Sequence, residues 1–324
     1  MLSVPLSVLD RSRTRVGETE AETLRATVEL AQQVEELGYK RFWVSEHHSV
    51  PGVVGSAPTV LAAAVAARTD QIRVGTGGVM LPNHKPLVVA EQFGVLESLY
   101  PGRIDMGLGR SVGFTNGVRR ALGIEKDAAE DFSTQVRELL GYLAGTSADR
   151  VHARPGEGLR IPPFILAVGE GTAIAAALGL PVVLAARPDS AERLEDYRNN
   201  FKPSEWAPEP YVMLAVTAAV ADSTEAARQL LLPEAWASAY SRTRGVFPPL
   251  EPDVPAELTA REQEYFENAL RGQVYGMPAE VEEALGELVR RTAADELLIT
   301  TNTFDRAALL ANYAALAKLA GLTR

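Results

Sequence analysis

The chain has 324 residues, 46% of them hydrophobic, a formal net charge of −10 and no cysteine. That apolar content suffices for a large core, and an α/β barrel routinely uses about 250 residues as one domain. The acidic balance argues against nucleic acid or an anionic membrane as partner, and the missing cysteines remove disulfides, thiolate nucleophiles and thiolate metal sites. The amino-terminal residues carry no basic n-region, and no run approaches the ~18–20 apolar residues of a membrane span, so a cytoplasmic location is expected.

From the amino terminus, residues 2–9 read as a short apolar strand. Residues 18–38 read as an amphipathic helix with Leu24, Val28, Ala31, Val34 and Leu37 on one face and Gly38 as its stop. Strand 40–46, helix 58–68, strand 72–80, helix 86–99 and strand 104–109 follow, and helical pattern then runs to about residue 145. Strands at 164–168, 181–185 and 211–221 come next, the first two each with a helix behind it. Helix 279–292, strand 296–301 and helix 306–319 close the pattern. Eight strands joined through helices predict right-handed crossovers and a parallel sheet, and eight repeats favour closure into an α/β fold of the (β/α)8 TIM-barrel type, with residues 1–324 forming one domain.

Insertions are expected after the fourth and seventh strands. Residues 148–163 contain Arg154-Pro155-Gly156-Glu157-Gly158 and Pro162-Pro163 and read as irregular. Residues 222–277, with Pro248-Pro249, Pro252 and Pro255, form the longest break in the alternation. Such a segment serves as a lid or wall over a site, or as a surface extension or dimer contact.

The carboxyl ends of parallel strands form the working face of α/β architectures. The second strand ends in Trp43-Val44-Ser45-Glu46-His47-His48, and three of the four histidines fall between residues 43 and 113. Adjacent residues on a strand point to opposite faces, so His47 and His48 do not readily share an ion, and zinc spacings are missing; no metal site is expected. Gly107-Leu108-Gly109-Arg110-Ser111-Val112-Gly113 fits a dinucleotide fingerprint poorly, because of its arginine and its place on a fourth strand. Arg110 reads as an anion clamp or as a surface salt bridge. A second turn, Val168-Gly169-Glu170-Gly171-Thr172, opens a helix, and helix amino termini suit phosphates. Glu170 opposes that use unless it points away. Gly77-Gly78 inside the third strand marks a bulge, the approach of a flat ligand, or crowding by a neighbouring side chain.

These residues together resemble the luciferase-like flavin-dependent monooxygenases, the superfamily of the bacterial luciferase α subunit. The likeness is greatest to its stand-alone oxidoreductase branch, which includes tailoring monooxygenases of actinomycete antibiotic pathways. It is densest in Arg41-Phe42-Trp43-Val44-Ser45-Glu46-His47-His48, in residues 72–84 with Pro86-Leu87-Val88-Val89-Ala90-Glu91, and in residues 99–110. Leu178-Gly179-Leu180-Pro181, Tyr197-Arg198, Pro210-Tyr211-Val212-Met213 and Ala294-Asp295-Glu296-Leu297 add to it.

The resemblance implies reduced FMN bound at the carboxyl face of the barrel, with His47 as the catalytic histidine and Arg110 on the flavin phosphate, near the Val112 backbone. Gly77-Gly78 corresponds to a non-proline cis peptide beneath the isoalloxazine. The phosphate-side turn Gly169, Glu170, Gly171 and Thr172 departs from close relatives: it is shortened and lacks their serines, leaving Thr172 and backbone amides. Gly109 stands where bacterial luciferase has a reactive cysteine. The implied activity is that of the oxygenase component of a two-component system. Reduced FMN would come from a separate NAD(P)H:flavin reductase, and a homodimer would hydroxylate, epoxidise or Baeyer–Villiger oxidise a small organic substrate such as a secondary-metabolite intermediate. A deazaflavin (F420)-dependent dehydrogenase on the same barrel and a non-catalytic flavin-binding protein are the alternatives.

Overall fold

Leu6–Asp10 pairs in parallel both with Arg41–Val44 and with Glu296–Ile299, so the first strand of the barrel is zipped to the last. The structure, a computed structural model, describes residues 2–147 and 150–322. From Arg41–Val44 the ladder continues through Arg73–Thr76, Ile104–Gly109, Pro163–Leu166, Val182–Ala185 and Val212–Val216 to Glu296–Ile299, every pairing parallel. These eight strands close a barrel ringed by helices.

Strand alternation sorts the core into two layers. Phe42 and Val44 face outward with Leu6 and Val8, into the large apolar layer beneath the helices. Trp43 points inward and packs with Leu9, Phe164, Val183, Met213 and Leu298 in the barrel lumen. The first helix, Glu20–Glu36, starts at a Thr19 capping box. Its most buried face runs through Thr23, Thr27, Leu30, Ala31 and Val34, while Leu24, Val28 and Leu37 are only partly covered. Polar contacts turn the helix from the purely apolar face: Thr27 donates to Asp10 Oδ2 at 2.6 Å.

Three expected elements differ. The first strand begins at Leu6, after Pro5, which has no N–H to give to a ladder. The third strand is interrupted after Thr76 by Gly77-Gly78 and resumes at Val79–Met80, beside Leu108 and Gly109. The stretch 211–221 is two strands. Val212–Val216 stays in the barrel, whereas Ala218–Val220 leaves it and pairs with Val274–Gly276.

Between those last two partners lie the helices Thr224–Arg244 and Ala260–Leu270, packed together through Leu231, Ala235, Trp236, Phe266 and Leu270. Of the irregular stretch expected at 148–163, residues 148 and 149 lie outside the described residues; 150–162 form neither helix nor strand.

The amino-terminal end of the lumen is closed by a buried ionic network. Asp105 accepts from Arg73 Nη2 and Arg41 Nη1, both at 2.7 Å, and from Trp43 Nε1 at 3.1 Å. Glu296 accepts from Arg41 Nε at 3.0 Å, Tyr211 at 2.5 Å and Ser7, and pairs with Lys40 at 2.9 Å. Burial works against the charge on Arg41, but Asp105 and Glu296 outweigh it and hold its pKa above that of an ordinary arginine.

Candidate functional site

The carboxyl ends of the strands carry a different arrangement. Asp10, the last residue of the first strand, receives Thr27 and the Ser12 backbone N–H, and Ser12 is buried with a positive φ of 53°. Non-glycine residues rarely enter that region, and it recurs at functional sites. This turn projects Arg11 and Arg13 onto a single carboxylate, Glu234 of the helix Thr224–Arg244. Arg13 Nε lies at 2.8 Å, and Arg11 Nη2 makes a short contact with the other oxygen. Burial alone would raise the Glu234 pKa, but the two arginines prevail and lower it.

His47 and His48 lie beyond the end of the second strand and are held differently. His47 is half-buried, with Nδ1 3.1 Å from Ser45 Oγ and its ring stacked on Phe114 at 6.0 Å between centroids and 17° between planes. Burial, reinforced by the positive charges of Arg11 and Arg13, pulls its pKa from 6.5 to about 4 against the weaker pull of Glu46. The ring is therefore uncharged at neutral pH.

His48 is committed to Glu46 at 2.6 Å. The same buried carboxylate pairs with His84 Nε2 at 2.8 Å and accepts the Met80 N–H at 2.8 Å. Burial disfavours its charge, yet His84, the Met80 amide and His48 keep its pKa below the usual carboxylate value. Glu46 thus ties the second strand to the third where the latter resumes. No cluster of three or more His, Asp or Glu side chains among the described residues is arranged to hold a metal ion.

The Gly77–Gly78 peptide is cis. A Cβ on Gly77 would meet Leu9 Cδ1 at 2.5 Å, and one on Gly78 would meet the Gly107 carbonyl oxygen at 2.8 Å and Leu166 Cδ1 at 2.9 Å. Of the three readings of this pair, crowding by neighbours is the one the contacts account for.

Arg110 and the turn 169–172 come together although they sit on different strands. Arg110 Nη1 lies 3.7 Å from Glu170 Oε2, a carboxylate that is 85% exposed. Gly169 adopts a left-handed φ of 59°, its carbonyl accepts from Arg193 Nη2 at 2.9 Å, and Gly171–Leu178 opens as a helix with Thr172 half-buried in its first turn. The loop from Arg110 through half-buried Val112 to Phe114 therefore spans from this turn to the His47 ring. Gly109-Arg110-Ser111-Val112-Gly113 also spells Gly-x-Ser-x-Gly, but exposed Ser111 has no histidine partner among the described residues and precedes its helix, Asn116–Leu122, by a loop; it is no nucleophile elbow.

A cavity of about 380 Å3 opens at the carboxyl ends of the sixth, seventh, eighth and first strands. Ala185, Val216, Thr300 and Arg11 line it from the barrel, and Glu234 and Ser238 from the helix Thr224–Arg244. Sequence reasoning missed Arg11, Arg13, Phe114 and Glu234. The alternating arginines of Arg11-Ser12-Arg13-Thr14-Arg15, directly after a strand, were a usable signal for the first two. Glu234, in mid-helix, carries none.

A closed eight-stranded parallel barrel with Arg11, Arg13, His47 and Arg110 beyond the carboxyl ends of its strands is a TIM barrel with a candidate site in its usual place. Residues 4–302 match the model of the luciferase-like monooxygenases. The chain belongs to the luciferase-like monooxygenase family. It is 35% identical over 319 residues to the luciferase-like monooxygenase of Escherichia coli (strain K12), covering 96% of this chain and 95% of that one. Among solved structures it is similar to apo-MsnO8, with a TM-score of 0.86, 30% identity and 99% of both chains covered.

Two looser likenesses reflect the fold alone. One is to the oxygenating constituent of 3,6-diketocamphane monooxygenase from Pseudomonas putida, a type II Baeyer–Villiger enzyme in complex with FMN, at TM-score 0.72 and 18% identity over 98% of this chain and 97% of that one. The other is to an F420-dependent secondary alcohol dehydrogenase, at TM-score 0.73 and 12% identity over 100% of both.

Proposed function

We propose that this protein is the oxygenase component of a two-component flavin monooxygenase. It takes reduced FMN from a separate NAD(P)H:flavin reductase and uses O2 to hydroxylate, epoxidise or Baeyer–Villiger oxidise a small organic substrate, such as a secondary-metabolite intermediate. The observation that carries this reading is the loop from Arg110 to Phe114, which links an arginine at a helix-opening glycine turn to a half-buried, uncharged histidine.

The residues present suit FMN at its phosphate end. Arg110 offers a planar cationic fork, and the Thr172 amide stands in the first turn of the helix Gly171–Leu178, while the Gly171 N–H donates to the Val168 carbonyl at 3.2 Å. Glu170 does not block this role, because its contact is long and its side chain exposed, so a phosphate displaces it at little cost. At the ring end, Gly77 and Gly78 are accounted for by packing, and their place beneath the isoalloxazine rests on the family resemblance. When bound, the reduced flavin supplies the electrons that activate oxygen. His47, with Nδ1 engaged by Ser45, has Nε2 left to hold or move a proton near the reacting atoms. The helices of 222–277 form one wall of the substrate cavity, as part of one domain spanning residues 1–324.

A homodimer in the cytoplasm completes the proposal. Its support is an exposed apolar face, Val60 on Pro58–Ala66 with Val88, Val95 and Leu99 on the neighbouring Pro86–Leu99. No helix among the described residues is long and apolar enough to cross a membrane.

Anaerobic titration with reduced FMN and with reduced F420, followed by product analysis under air and argon, tests the reading. Tight binding of reduced FMN with oxygen-dependent product is expected. Turnover with F420 under argon would replace it with the dehydrogenase, and flavin binding without turnover would leave a flavin-binding protein.

A further inference from the structure

The cavity beneath the helices Thr224–Arg244 and Ala260–Leu270 has a volume of about 380 Å3, within the range of small-molecule sites. Its floor is apolar, formed by residues such as Ala185, Ala215 and Val216. Its ionic groups are unbalanced. Arg11 and Arg271 line it as cations, and Glu234 is its one carboxylate.

That carboxylate is already divided between two guanidinium groups. It accepts from Arg11 and also from Arg13, which is 1% exposed and lies 4.2 Å from the centre of the Phe247 ring. Arg11 gives it only Nη2, and Arg11 Nε is buried without a hydrogen-bond partner among the described residues. The cavity lining therefore carries one positive charge in excess, Arg11 and Arg271 against Glu234, while buried Asp10 acts on Arg13 from outside the lining. His47 registers the charges of Arg11 and Arg13, which add to burial in lowering its pKa.

We infer that this cavity binds a small organic acid, with Arg11 as the counter-ion of its carboxylate and the alanine- and valine-lined floor taking its hydrocarbon part. Calling that acid the substrate rests on the monooxygenase reading; its binding does not. A neutral ligand gains nothing from the surplus cation, and an amine is repelled by it. A carboxylate restores one negative charge per guanidinium group at the Arg11–Arg13–Glu234 cluster, with a charge-assisted, potentially two-point contact to Arg11.

The test is calorimetric titration of the full-length protein, without flavin and under argon, with phenylacetate and with its uncharged analogue phenylacetamide. Phenylacetate is expected to bind about 10-fold or more tightly than the amide, the scale of one charge-assisted contact. Arg11→Gln should erase that preference, and Arg11→Lys should keep part of it. Ser238→Phe fills the cavity while leaving Arg11, Arg13 and Glu234 in place, and should weaken both ligands about 10-fold or more. If Arg11→Gln does not fold, the lysine and phenylalanine variants still decide the matter. Equal affinity for acid and amide, binding of neither, a preference that survives Arg11→Gln, or affinities unchanged by Ser238→Phe would each overturn the inference. Failure of the monooxygenase reading would appear separately, as lost affinity for reduced FMN with phenylacetate binding intact.

Discussion

The two ends of the barrel handle charge in opposite ways. At the amino-terminal end, both oxygens of Asp105 and both of Glu296 are engaged by Arg41, Arg73, Lys40, Trp43, Tyr211 and Ser7. At the carboxyl-terminal end, one carboxylate serves Arg11 and Arg13, and among the described residues Arg110 pairs only with an exposed glutamate 3.7 Å away. A saturated buried network resists change, because removing one member strands the charge of another. Under-paired cations at the open end can accept a ligand's negative charge without disturbing the fold.

The sharpest way to break this contrast is Asp105→Ala. It leaves Arg41 buried with half its partners and should cost about 3–5 kcal/mol of stability in denaturant unfolding. A loss below about 1 kcal/mol, the range of an exposed ion pair, would mean that the amino-terminal network is no more rigid than the surface.

At the other end, His47→Ala should cut product formation by about 100-fold while reduced-FMN affinity stays within a few-fold, the usual effect of removing a positioned acid–base group. Hydrogen peroxide should appear in place of oxygenated product. His48→Ala should cost much less, since Glu46 keeps His84 and the Met80 amide. The reverse ranking would exchange the two rings' roles.

The same histidine sets a pH dependence. It takes its proton near 6.5 in the unfolded chain but at about 4 in the folded one. As pH falls through that window the unfolded state binds more protons, so this group's share of stability is full above 6.5, declines towards 4 and changes no further below it. Between pH 7 and pH 4.5 the wild type should lose more stability in unfolding curves than His47→Gln, which has no proton to take up; equal losses would remove His47 as the titrating group. A product rate that depends on neutral His47 should show no acid limb near 6.5.

Smaller effects belong to the phosphate side. Arg110→Ala should weaken FMN by about 2 kcal/mol and leave riboflavin nearly unaffected, because the lost contact is charge-assisted and made to the phosphate. Equal losses for both ligands would remove Arg110 from that role. Glu170→Gln should tighten FMN by a few-fold at most, since it removes only an exposed competitor.

Much of the fold was legible because strand and helix periodicities are local. All eight barrel strands lie where apolar runs end in polar or glycine residues, and the paired glycines at 77 and 78 stood out on sequence grounds alone. The expected strand at 211–221 shows the limit. Its residues are apolar and β-compatible throughout, and nothing local says that the chain turns out of the barrel after Val216 to meet Val274–Gly276. Likewise, Thr27 reads as a break in an apolar face until Asp10 is seen beside it.

The amino-acid sequence by itself determined the alternation, the closure it favours, and the identity of His47 and Arg110 as unusual residues at strand ends. The tertiary structure decided their surroundings: that His47 loses its charge through burial, reinforced by Arg11 and Arg13, that Glu46 engages both His48 and His84, and that Arg110 meets a turn from the next strand. The reason is range. Periodicity acts over a few residues, whereas the pairing of Arg11 with Glu234 spans 223 positions, and closure of the barrel and packing of the helices over its end bring such groups together.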